Sequence, residues 1–437
     1  MNLSREILRL AVPSILAGIT VPLVGLVDMA VVGHLQADGA ATLLGGISVG
    51  TMLFDLLYWN FTFLRTGTGG LTAQAYGAGK DTSGILNRAL LIALGSGAAM
   101  VLLQWVVLQA AFLVVDCTPQ VRELASAYFR IRIWAAPATL SLFAFKGWFV
   151  GRQDTVTPMI ADLLVNGLNI LLSVGLGFGL AGLPRLGFAG VAWGTLIAQW
   201  CGFLYAFATA VFRTPWSIKS KSAGPQPVKL HANLILRSIG MLAVYIGYTA
   251  IAARYGDMVL ALSAILMKLL MFYSYFTDGL AFAGEALSGR FIGARDPAGL
   301  KATVRGTFAW GWGLAAVFML LYGLGGVPIL RLLTSDPAVV DAGRAYIPWL
   351  LMMPLAGTPA FVWDGVYIGA TAGPQLRNST LLCAVGFFAV WFAGIASFGP
   401  RQALHVLMAA YFTHLLVRGL YLTVRCKTAV LARASDS

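Results

Sequence analysis

Twelve stretches of this 437-residue sequence stay apolar for about 20 residues or more, the length a helix needs to cross a bilayer's hydrocarbon core. Bounded by glycine, proline and charge clusters, they fall near 6–33, 40–64, 85–114, 122–149, 156–181, 187–212, 232–253, 257–284, 304–326, 343–368, 377–398 and 402–424. In lipid every backbone amide must be satisfied within the chain, so runs of this length predict helices. Twelve of them predict an all-α, multi-pass membrane protein. Only 11% of the residues are charged and 59% are hydrophobic, too little charge to coat a soluble domain of this size.

The net charge is +13, yet the basic residues lie in short loops and form no single patch. That excludes nucleic acid as the expected partner and points to lipid headgroups. With the N-terminus on the cytoplasmic side, 19 of the 30 Lys and Arg fall in inner loops and 8 in outer ones, the latter including Arg132. Arg65, Lys146 and Lys268 remain at membrane depth, while Arg237 and Arg418 count with the inner loops. This bias places both termini in the cytoplasm. "MNLSREILRL" reads as a cytoplasmic tip leading into the first span, not as a cleaved leader. Cys117, Cys201, Cys383 and Cys426 lack the spacing of a disulfide framework or zinc site.

The basic, Pro- and Ser-rich segment "FRTPWSIKSKSAGPQPVKLHANLILR" (212–237) interrupts the pattern at mid-chain. It divides the sequence into residues 1–212, a cytoplasmic linker 213–231, residues 232–424 and a cytoplasmic tail 425–437. The two long parts repeat each other. "QAYGAGKD" (74–81) resembles "RFIGARD" (290–296), with Gly77-Ala78 matching Gly293-Ala294 at an offset of 216. "FKGWFVG" (145–151) resembles "WDGVYIG" (363–369) at 218, and Pro158 matches Pro374 at 216. A duplicated unit of six spans enters the membrane twice in the same direction. That predicts two six-helix lobes related by a pseudo-twofold axis along the membrane normal, with a substrate site between them.

Ionisable groups within spans cost roughly 2.5–3.5 kcal/mol at a helix centre and are functional candidates by default. They are Asp28, Asp55, Arg65, Lys146, Asp162, Lys268, Asp278, Glu285 and Asp364. Six acids against three bases favour cationic or neutral substrates. Arg65, Lys146 and Glu285 lie near span ends, where snorkelling or pairing accounts for them. Asp28 stands alone in its half of a span that also carries Pro13 and Pro22. Each proline removes a backbone hydrogen bond and permits a bend. A carboxylate that changes charge on a bendable helix can act as a switch; one held by a neighbouring hydroxyl or amide is only structural. Asp162, Asn166, Asn169 and Ser173 recur at helical spacing and share one face, which must meet another helix or a wet cavity. Asp364 is the repeat counterpart of Lys146. The two either pair across the halves or find local partners. Lys268, Tyr275 and Asp278 lie on the eighth span, and Trp59, Tyr273, Tyr275, Asp278, Asp364 and Lys268 are the candidate substrate-cleft residues.

No enzyme is expected. The G-x-S-x-G of "GGISVG" lies within an apolar span and the G-x-G-x-x-G of "GFGLAG" lacks a βαβ setting. The four histidines show no metal-ligand spacing, and the scattered charges form no channel-like rings.

The motifs "VDMAVVGHL" (27–35), "FLRTGTGGLTAQAYGA" (63–78), "DGLAFAGEALSGRFIGARD" (278–296) and "WDGVYIGAT" (363–371) resemble the MATE family of multidrug and toxic compound extrusion transporters, within it the branch of the DNA-damage-inducible protein F. The resemblance covers almost the whole chain. It implies a monomeric antiporter of the bacterial inner membrane that exports amphipathic, often cationic drugs or metabolites, driven by inward flow of protons or sodium ions and needing no other cofactor. In relatives a first-helix aspartate, 15 residues after a proline, carries ion coupling; Asp28 and Pro13 match. Relatives also place an Asp four residues after an Asn on the fifth helix. Here Asn169 matches but Ser173 stands at the acidic position, and Asp162 on the same face is the candidate to compensate. With Ser173 there, and no acid in 232–253, the resemblance points to protons ahead of sodium. A lipid or lipid-linked glycan flippase of the same superfamily is the alternative reading.

Overall fold

The structure, a computed structural model, describes residues 3–35, 40–115, 117–220, 228–334 and 336–435. In chain order its helices are α1 (Leu3–His34), α2 (Ala40–Trp59), α3 (Phe63–Gly77), α4 (Ser83–Leu102), α5 (Gln104–Val114), α6 (Pro119–Arg132), α7 (Ala136–Gly151), α8 (Val156–Phe178), α9 (Phe188–Arg213), α10 (Val228–Ala253), α11 (Asp257–Gly293), α12 (Pro297–Leu333), α13 (Pro337–Gly343), α14 (Ile347–Gly369), α15 (Gly373–Phe398) and α16 (Ala403–Ala429). No strand occurs among the described residues. Among the described residues, twelve helical segments are long and apolar enough to span a membrane, the number expected from the sequence.

The differences lie at the ends. Helices α11 and α12 each run 37 residues, past the expected limits, because a polar sequence can extend a helix beyond the hydrocarbon. The second span continues through α3 to Gly77. The fourth and tenth spans are each broken by a 3-10 turn, at Ile133–Ala135 and Arg344–Tyr346. In both, the helix that follows carries a proline in its first turn, Pro137 and Pro348, where the missing N–H leaves no bond unmade.

The chain divides into two compact units. The first comprises Leu16–Thr72 and Asp81–Pro225; the second comprises Met1–Ile15, Ala73–Lys80 and Gln226–Ser437. The boundary cuts α1 two residues after Pro13, although α1 remains helical through both Pro13 and Pro22.

Close backbone packing makes the repeat visible. In the first unit a Cβ on Gly147 would lie 2.2 Å from the Arg65 carbonyl oxygen. In the second, a Cβ on the matching Gly365 would lie 1.9 Å from the carbonyl oxygen of Ala281, 216 residues after Arg65. Only glycine lets helices approach so closely. A second pair is reciprocal. Gly77 would clash with Arg290 O and Gly293 with Gln74 O, each at 1.9 Å, and each acceptor lies three residues before the other glycine. That is the contact a twofold relation between repeats requires. Around it, Gln74 Nε2 donates to Gly369 O at 2.8 Å, and Arg290 holds the buried Glu6 with two bonds of 2.5 and 3.2 Å.

Apolar side chains fill the core of each unit. Phe145, Trp148 and Phe149 centre the first, and Tyr273, Phe318, Tyr322 and Phe387 the second. The start of the mid-chain linker is tied to the first unit. Asn87 Nδ2 donates to the carbonyls of Ser217, Ile218 and Ser220 at 3.0–3.1 Å, and Trp216 Nε1 donates to Asn87 Oδ1 at 2.8 Å. Ser220 Oγ donates to Asp81 Oδ2 at 2.6 Å.

Candidate functional site

From Gly18 to Ala30, α1 presents half-buried or exposed side chains with one exception: Asp28 is buried, at 9% exposure. Its Oδ1 has no hydrogen-bond partner. The Ser173 hydroxyl stands beside the carboxyl group, brought there by α8. Helix α9 presses onto this part of α8, since a Cβ on Gly194 would lie 2.8 Å from Ser173 N. One turn earlier on α8, Asn169 Nδ2 donates to Thr195 Oγ1 of α9 at 2.8 Å, leaving Asn169 Oδ1 unpartnered. Asn166 Nδ2 donates to Thr20 Oγ1 of α1 at 2.6 Å. The polar face expected on α8 therefore exists, and its members meet three different helices.

Asp162 forms an ion pair with Lys146 of α7, each side chain being 23% exposed. Eleven residues separate it from Ser173, about 16 Å along a helix. The same contact decides between the two pairings left open for Lys146. Asp364, its repeat counterpart, has local partners too: both Arg237 of α10 and Arg418 of α16 reach Asp364 Oδ2. Arg418 is 1% exposed.

The cleft candidates separate as well. Tyr273 belongs to the core of the second unit, fully buried against Phe318, with its hydroxyl 2.5 Å from Thr358 Oγ1. Asp364, enclosed by its arginines, is likewise an interior group. Trp59 and Tyr275 are half-buried, Lys268 is exposed, and Asp278 accepts from Ser274 Oγ at 3.4 Å. Among the described residues no three His, Cys, Asp or Glu side chains come together as a metal site.

Three arginines were missed as interior groups. Arg132, assigned to an outer loop, closes α6 within the fourth span, half-buried. Its guanidinium lies 4.6 Å from the Phe54 ring centroid and donates to Tyr128 Oη at 3.0 Å. It interacts electrostatically with Asp28 of α1 and Asp55 of α2. Arg237 and Arg418, assigned to inner loops, lie inside α10 and α16. Counting these three with Arg65, Lys146 and Lys268, six acids within spans are matched in number by six cations, and the acidic surplus read from the sequence disappears. A signal was available for two of them: Tyr128 and Arg132 are one turn apart, and Arg418 lies seven residues before the next cation of its span.

Duplicated spans, with charged groups buried inside each copy, define a polytopic membrane protein of the secondary-transporter class. The MatE family model matches residues 13–174 and 234–396, once in each half, and the chain belongs to this family of transporters. The sequence is 34% identical to DNA damage-inducible protein F of Escherichia coli, over 95% of this chain and 90% of that protein. It is 25% identical to a probable multidrug resistance protein NorM of Bradyrhizobium diazoefficiens, over 89% and 84% of the two chains. The fold is that of solved MATE structures. A MATE crystal structure in the bent conformation aligns with a TM-score of 0.85 at 18% identity, over 100% of this chain and 98% of the other. The Vibrio cholerae MATE transporter VcmN in the bent form aligns with 0.86 at 15% identity, over 99% and 98%.

Proposed function

We propose that the chain is a proton-coupled antiporter that exports amphipathic, often cationic drugs or toxic metabolites, with Asp28 as the coupling carboxylate. Membership in a family of efflux transporters supports the export role. The observation that carries the coupling role is Asp28 itself, the one buried side chain in its stretch of α1, with an oxygen left unpartnered. Unlike Asp162 and Asp364, it stands in no ion pair among the described residues. A buried carboxylate without a counter-ion can exchange a proton.

In the cycle, both termini lie in the cytoplasm and Asp28 takes its proton from the outer side. Neutralising Asp28 changes its interaction with Ser173 and Arg132, so the two protonation states favour different packings of α1. That difference, and nothing else, can drive alternating access. The substrate then leaves as α1 repacks, with Pro13 and Pro22 absorbing the bend. The test is efflux in proteoliposomes under an imposed pH gradient. Asp28→Asn is expected to abolish gradient-driven efflux while leaving substrate binding in detergent within about threefold. Gradient-driven efflux by that variant at the wild-type rate would sink the mechanism. A lipid-scrambling assay on the same liposomes addresses the flippase alternative, with no scrambling expected.

A further inference from the structure

We infer that the Glu6–Arg290 ion pair is the latch of a gate at the cytoplasmic end: it fastens α1 to α11 and must part each time the transport path opens inward. That role rests on the antiporter reading and on its cytoplasmic termini.

The first half of α1, as far as Ile15, and Ala73–Lys80 at the end of α3 belong to the first repeat by sequence, yet both pack inside the second compact unit. On α1, Glu6 is buried in line with Ile7, Leu10 and Ala11, which are fully buried. Glycines of the second repeat receive this face. A Cβ on Gly306 of α12 would lie 2.6 Å from Ile7 Cδ1, and one on Gly279 of α11 would lie 2.4 Å from Ile15 Cγ1 and 2.7 Å from Ala11 O. Farther along α11, Arg290 donates to both Glu6 oxygens, at 2.5 and 3.2 Å. The two helices therefore run antiparallel, from Ile15 against Gly279 to Glu6 against Arg290. The Arg290 guanidinium also rests on the Phe291 ring, 4.6 Å from its centroid.

The end of α3 closes the same contact. A Cβ on Gly289 would lie 2.4 Å from Ala73 Cβ, beside the reciprocal approach of Gly77 and Gly293. Arg290 stands at the repeat position of Gln74, 216 residues later. Gln74 Nε2 donates to Gly369 O and Thr371 Oγ1, at 2.8 and 3.2 Å. One copy of this position thus ties α3 to the end of α14 through a neutral amide. The other ties α11 to α1 through a charge.

The chemistry suits a contact that must open. Helices that meet backbone to backbone across glycines interlock few side chains, so they can separate without unpacking a core. An ion pair that has given up its water loses little when water returns, because rehydration offsets most of the lost attraction. Arg290 is already 24% exposed, at the edge where water would enter. While the contact is closed, the same pair fixes its register, since a carboxylate buried on α1 requires a cation opposite.

Two measurements on the full-length protein, with its four native cysteines replaced by alanine, test the latch. In the first, Ile7→Cys reports opening, because Ile7 is sealed within the contact. A bulky water-soluble maleimide should label it slowly. Adding Arg290→Gln should speed labelling by about fivefold or more, the coupling typical of a two-state element. Arg290→Lys, which keeps the charge, should label slowly. An unchanged thermal midpoint separates opening from unfolding, and Glu6→Gln serves if the arginine variant is unstable. In the second, Glu6→Cys and Arg290→Cys are joined by a reducible bifunctional thiol reagent in proteoliposomes under a pH gradient. Joining them should stop efflux and reduction should restore it. Unchanged labelling in a folded Arg290→Gln or Glu6→Gln protein, or full efflux by the joined pair, would overturn the latch. A wild type that exports nothing under the gradient would overturn the antiporter reading instead, and the labelling result would still decide the latch.

Discussion

The two repeats share a backbone and differ in how they treat a buried acid. Gly147 against Arg65 O in the first unit and Gly365 against Ala281 O in the second are the same contact built twice. The first unit buries Asp28 on α1, in no ion pair among the described residues. The second unit clamps Asp364 between Arg237 and Arg418. Glycine spacing fixes helix approach and is indifferent to charge, so the scaffold is kept while the charged positions differ, Asp364 standing where the first repeat has Lys146. Asp364 is paired with two guanidiniums and belongs to the architecture of its unit, whereas Asp28 stands in no ion pair among the described residues.

The sharpest way to break this contrast is to remove the clamp. Arg418→Leu leaves buried charges short of a partner and should destabilise the protein by about 3–5 kcal/mol, read from thermal unfolding in detergent. Asp28→Asn removes a charge that has no direct counter-ion and should leave unfolding within about 1 kcal/mol of wild type while abolishing coupling. Equal destabilisation by the two variants would mean that both acids are structural.

A smaller effect is expected at the pair that the sequence offered as a substitute. Lys146 and Asp162 are both partly exposed, so Lys146→Met should change stability by less than about 1 kcal/mol and leave the coupling ion unchanged. Loss of proton coupling in that variant would return Asp162 to the site.

The smallest effect concerns Asp81, in the α3–α4 connection outside the spans. Hydrogen bonds from Ser220 and from the Ser83 backbone hold its carboxyl below the usual carboxylate range. A depressed value contributes stability above the ordinary carboxylate pKa of about 4 and loses it as pH falls further. Limited proteolysis of the segment around Ser220 should therefore rise modestly below about pH 4. Asp81→Asn should produce the same small rise at neutral pH, and an unchanged cleavage rate would show that the tether does not depend on this charge.

Much of the protein was determined by sequence alone. Apolar run length set twelve spans because a bilayer offers the backbone no other partner. The 216-residue offset revealed the repeat, since glycines needed for close approach leave a fixed spacing. Asp28 stood out because an isolated acid in an apolar run is costly wherever it goes. Tertiary structure decided which charges meet. Asp364 and Arg237 are 127 residues apart, and neither spacing nor periodicity reports the rotation of one helix against another. Charge patterning placed Arg132, Arg237 and Arg418 in loops because it measures distance from span ends, whereas packing draws long guanidinium side chains inward toward aromatic faces and carboxylates. For the same reason the pairing of Asp162 on α8 with Lys146 on α7 was not legible in the sequence. A helix face is one-dimensional information, and the partner across it is fixed only when the helices pack.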